Sequence, residues 1–145
     1  MVKKSKSLKV FFNASVILAG LHSPRGGSAK LLTWAKKRKI SGIASEIILD
    51  EVLSRCGKIN ITKNEVNRKL QSVLSEITPP PKRSTVDAFK KIVVDVGDAH
   101  VLASGKETKA DYIVSLDKKH ILVLKGKFKN PKIVSPGELI EIISD

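Results

Sequence analysis

The chain has 145 residues, with 27 Lys and Arg against 14 Asp and Glu, for a formal net charge of +13 and a pI near 10.0. That length bounds it to one domain, and 41% hydrophobic content is enough for one substantial core, which excludes a largely disordered chain. No stretch approaches the roughly 20 consecutive apolar residues of a membrane span, and the one cysteine, Cys56, supplies neither an internal disulfide nor a cysteine zinc cluster.

The lysine-rich start, residues 1–8, reads as a flexible basic tail ahead of a domain over residues 9–145. It is not followed by the hydrophobic core of an export signal, because Asn13 and Ser15 interrupt residues 10–18; the expected location is cytoplasmic. The positive charge favours a polyanionic partner, whereas 4% aromatic content argues against a base-stacking platform.

In chain order, residues 9–12 form a short apolar run that predicts a strand ending at Asn13. After the turn at Pro24, Gly26 and Gly27, Ser28 is placed to cap a helix through about Arg38. Residues 42–44 predict a second strand, and Ser45 caps a helix through about Arg55, ended by a loop containing Gly57. Thr62 with Glu65 is a capping box opening a helix in which Val66, Leu70, Val73, Leu74 and Ile77 recur at helical spacing until Pro79 to Pro81 stop it. Residues 82–94 carry no decisive pattern; Ile92 to Val94 fit a strand or the approach to a loop.

Gly97 and Asp98 open another helix to about Lys109, and residues 112–116 read as a central strand buried on both faces. A last strand covers 132–134, and Ser135, Pro136 and Glu138 then start a helix through Leu139 to Ile143. The alternation predicts an α/β domain of three layers, with helices on both faces of a central, mainly parallel sheet.

In such sheets ligands bind beyond the carboxyl ends of the strands. Asn13 and Ser15 follow the first strand, while Ser115 and Asp117 follow the central one. A helical step of about 100° places Glu51 at the edge of an apolar stripe between Ile47 and Ile48, and aligns Asp98 with Val101 and Leu102. Inward carboxylates in one crevice repel unless a cation neutralises them, and oxygen ligands suit Mg²⁺ or Mn²⁺. A divalent-metal site with a basic surroundings suggests a metal-dependent nuclease.

His22, His100 and His120 form no metal-ligand spacing, and His100 projects away from Val101 and Leu102 as a surface residue would. Cys56 reads as a packed small residue, and the Arg-Gly-Gly at residues 25–27 as a turn.

The segments KVFFNASVILAGL, SEIILDEVL and GDAHVLASGKETKADYIVSLDKKHIL, with the closing IVSPGELIEII, resemble in order and spacing the blocks of a PIN domain. Length and the Ser-Pro-x-Gly-Gly turn are most similar to the toxins of toxin–antitoxin systems related to VapC. The resemblance implies a Mg²⁺- or Mn²⁺-dependent endoribonuclease toxin whose metal-binding acids fall on Glu51, Asp98 and Asp117, with Ser115 supporting the last. It also implies RNA, a small antitoxin and a second copy of the chain as partners.

The first acid of the pattern falls on Asn13, a departure that removes a charge, and Ser15 stands where many members have Asn. Asp95 is a candidate auxiliary ligand, and Lys118 and Lys119, beside Asp117, are candidate RNA-backbone contacts. Two rivals follow: an inactive PIN-like RNA-binding module, and a PIN nuclease of ribosomal RNA processing.

Overall fold

The computed structural model describes residues 8–144. The expected basic tail lies outside them except for Leu8, whose carbonyl accepts the Ser41 amide at 2.8 Å.

The elements are β1 (Lys9–Phe12), α1 (Ala14–His22), α2 (Gly27–Lys36), β2 (Ser41–Ser45), α3 (Glu46–Arg55), α4 (Lys63–Val73), β3 (Glu76–Thr78), α5 (Arg83–Lys90), α6 (Ala99–Glu107), β4 (Tyr112–Val114), β5 (Lys132–Val134) and α7 (Pro136–Ser144). One sheet of order β3-β2-β1-β4-β5 forms, with every pairing parallel. Parallel neighbours require crossovers, and right-handed ones carry α1 to α4 over one face and α5 and α6 over the other. Contacts agree, since α1 packs on α2 and α3, α2 on α4 and α7, and α5 on α6. The result is a three-layer α/β/α domain.

Its core centres on β1, where Val10, Phe11 and Phe12 are fully buried. Helix α6 approaches the sheet closely at Gly105, where a Cβ would fall 2.6 Å from Ile113 Cδ1.

Local capping signals place several boundaries. Ser45 Oγ accepts the Ile48 amide at 3.2 Å to start α3, and Thr62 Oγ1 accepts the Glu65 amide at 3.2 Å to start α4. At α7 the box closes both ways: Ser135 Oγ accepts the Glu138 amide at 3.2 Å and Glu138 Oε1 accepts the Ser135 amide at 3.0 Å. Lys125 pairs with the other Glu138 oxygen.

Lys125, then the Ser135 amide, hold the Glu138 carboxyl below the usual Glu range. A lowered folded value means that the stabilisation is present above the unfolded pKa and fades as pH falls through the folded one. Glu138→Gln is expected to lower the melting temperature at pH 7 and to have little effect in acid below that range. The difference at pH 7 is under about 1 kcal/mol, because water screens an exposed pair; thermal melts across pH check it.

Elsewhere long-range packing overrides the local pattern. Helix α2 is capped by the Gly26 backbone, not by Ser28, which lies buried inside it. It stops at Lys36 because Arg38 turns left-handed at φ 61° and its guanidinium donates to the Ala35 and Val73 carbonyls, each at 2.9 Å. Gly57 lies in a 3-10 turn, Cys56–Ile59, rather than in an open loop.

Ile77 is not in α4: Leu74 becomes extended and the chain joins the sheet edge as β3, with Ala44 opposite Ile77. Residues 83–90 of the undecided segment are helical, and Ile92 to Val94 are not a strand. Helix α6 ends at Glu107, two residues before the left-handed Lys109. The strand expected at 112–116 is interior, paired with β1 and β5 and with Ile113 and Val114 fully buried, but it stops at Val114 and Leu116 is 43% exposed.

Candidate metal and nucleic-acid site

Strand order reverses between the parallel strands β1 and β4: from β1 the chain moves outward to β2 and β3 on one side, and from β4 outward to β5 on the other. The crevice at their carboxyl ends is the switch point where open α/β sheets bind ligands. Asn13 and Ser115, 102 positions apart, meet there.

Asn13 is the N-cap of α1, and its Oδ1 accepts the Ala14 amide at 2.8 Å. Its Nδ2 donates to Ser115 Oγ at 2.8 Å, and the same fully buried Oγ accepts the Asp117 amide at 3.0 Å. Ser15 Oγ accepts the Leu116 amide at 3.1 Å. The two serines and Asn13 therefore stitch the end of β1 to the segment that carries Asp117.

Asp117 folds back on its own chain. Its Oδ1 accepts the amides of Lys119 at 3.1 Å and His120 at 3.0 Å, a turn that presents its Oδ2 to His120 Nδ1 at 3.3 Å. Asp98, at the N-terminus of α6, reaches the same imidazole nitrogen at 3.7 Å. Asp98, Asp117 and His120 each bring one ligand atom to within 4.8 Å of the others. Burial raises the Asp98 carboxyl above the usual Asp range; His120 draws it down, Asp117 and Asp95 push it up, and His100 draws it down. Charge here is incompletely compensated, and a cation would relieve it.

Glu51 is not a member of that triad. From α3 it bonds His100 Nε2 at 2.9 Å, with the His100 side chain 14% exposed. His100 is thus a packed partner of a carboxylate and not a surface residue. Its ring is turned back toward α3, which projection along one helix could not show. Asp95 accepts the Gly97 amide at 2.9 Å and acts on Asp98 through its charge. Lys118 and Lys119 are exposed beside Asp117.

The histidines escaped sequence reasoning because neither sits at metal-ligand spacing. The local signal was the turn-forming Asp117 three residues before His120.

A divalent ion fits this donor set. Ligand atoms around one cation with bonds of about 2.1 Å lie roughly 3 to 4 Å apart, which is the spacing seen. Asp98 and Asp117 would supply its carboxylate oxygens.

A parallel three-layer sheet with carboxylates converging at its switch point defines a class of α/β domains that bind ligands there. The family comparison makes the class specific: residues 9–119 match the PIN domain, and the chain belongs to that family. PIN domains are generally metal-dependent nucleases acting on RNA. No curated protein matches the chain significantly. No helix among the described residues is long and apolar enough to cross a membrane.

Proposed function

We propose that the protein is a metal-dependent endoribonuclease, the toxin of a toxin–antitoxin pair, acting from the cytoplasm. The observation that carries the hydrolytic reading is the convergence of Asp98 and Asp117 at the switch point of a PIN domain. The ion they would hold, Mg²⁺ or Mn²⁺, supplies activation of water and neutralisation of the leaving oxygen.

The chain's own residues do the positioning. The amides of Lys119 and His120 fix the Asp117 carboxylate, and Ser115 fixes its backbone. Lys118 and Lys119, exposed beside Asp117, would contact RNA phosphates. The net charge of +13 favours a polyanionic substrate such as RNA.

A protein partner is supported by apolar residues left exposed next to acids of this region in sequence: Val94, Val96 and Leu116. An antitoxin or a second copy of the chain would cover them.

Asn13 supports a second reading, an RNA-binding module with impaired catalysis. Its amide is spent on capping α1 and on Ser115, and it brings no charge to the cleft. Incubation with a mixed RNA pool separates the two. Cleavage that requires added Mg²⁺ or Mn²⁺ and stops on chelation is the expected result. RNA bound but left intact at every metal concentration would replace the nuclease by the module.

A further inference from the structure

Two histidine–carboxylate pairs lie at this end of the sheet, and they differ. His100 and Glu51 close to 2.9 Å, an ordinary charge-assisted hydrogen bond. His120 Nδ1 stands between two carboxylates, 3.3 Å from Asp117 and 3.7 Å from Asp98, too far to bond both. The open spacing is that of ligand atoms sharing a cation, and the arrangement is organised by the chain: the turn through Asp117 Oδ1 fixes both the carboxylate plane and the His120 backbone. On the opposite wall Asn13 directs its Oδ1 to the Ala14 amide, so the first acid position contributes no charge.

We infer that His120 is the third protein ligand of this site, making it a two-carboxylate, one-imidazole set that selects a transition ion such as Mn²⁺ or Co²⁺ over Mg²⁺. The inference rests on the reading that Asp98 and Asp117 hold metal, and narrows which ion they hold. Imidazole nitrogen is a borderline donor that suits first-row transition ions, whereas Mg²⁺ prefers oxygen and keeps its waters. A carboxylate in place of His120 would restore the harder set.

Calorimetry with Mn²⁺, Co²⁺ and Mg²⁺ on the full chain, His120→Ala and His120→Asp tests this, together with pulsed electron paramagnetic resonance of bound Mn²⁺. The expected result is a ¹⁴N coupling on Mn²⁺ that His120→Ala removes. Co²⁺ and Mn²⁺ affinity should fall about tenfold or more in His120→Ala while Mg²⁺ affinity is nearly unchanged, and His120→Asp should shift the ratio toward Mg²⁺.

Mn²⁺ bound without nitrogen coupling, an unchanged or tighter affinity in His120→Ala, or no binding of any of the three ions would overturn it. The first two would make His120 a counter-charge that the ion displaces. Circular dichroism confirms that the variants fold, and the coupling in the unaltered chain needs no variant. RNA cleavage reports separately: a nitrogen-coupled ion without cleavage sinks the nuclease and leaves the ligand, and cleavage without coupling does the reverse.

Discussion

Asp98→Asn is expected to cut metal-dependent RNA cleavage by at least about 100-fold while raising the melting temperature of the metal-free protein. Both effects come from one carboxylate. It supplies a charged oxygen to the cleft, and that charge is partly buried beside Asp117 and Asp95. Because burial raises its pKa in the folded state, the folded chain binds the proton more tightly than the unfolded one. Stability therefore falls as pH rises from the unfolded value through the raised folded value, and stays reduced above it.

The neutral amide removes that penalty, so the gain should be seen at pH 7 and vanish in acid, where Asp98 is protonated in both states. A higher melting temperature at pH 7, with no gain in acid, is the expected direction. Melts at two pH values, alongside cleavage assays, check both halves. A variant that loses activity and stability together would indicate a structural role for Asp98.

Asn13→Asp is expected to act in the opposite direction on activity. An aspartate keeps the N-cap, because its oxygen can still accept the Ala14 amide and its charge suits a helix N-terminus. The amide's donation to Ser115 Oγ is lost, but the hydroxyl can turn to donate to the new carboxylate. What is gained is a negative charge one hydrogen-bonded residue away from Asp117.

Metal affinity should rise about tenfold, which enlarges the ion-induced stabilisation by about 1.4 kcal/mol at saturating ion. Cleavage should rise at least as much. The measurement is the melting shift on adding Mn²⁺, read with the cleavage rate. An unchanged shift would show that position 13 faces its helix cap alone and takes no part in the cleft.

These predictions also mark where sequence and structure divide. Elements with a local cause were legible: Ser45, Thr62 and the Ser135–Glu138 box start their helices where capping chemistry says they should, and the apolar run 9–12 is a strand. So was the α/β alternation, and the approach of Asp98 to Asp117, because helical projection and strand ends report direction relative to a core.

What tertiary structure alone decided were contacts between distant parts of the chain. Sheet order puts β1 at the centre and β4 beside it, and only that order joins Asn13 to Ser115. Ile77 obeys helical spacing, yet pairing with β2 draws it into a strand. Glu51 reads as a cleft acid, and its carboxylate meets the His100 imidazole from α6, while a tight turn brings His120 to the place beside Asp98 and Asp117. Caps and periodicity are set within a few residues and are visible in the sequence; the partner of a side chain is set by which elements become neighbours, a choice made by the packing of the whole core.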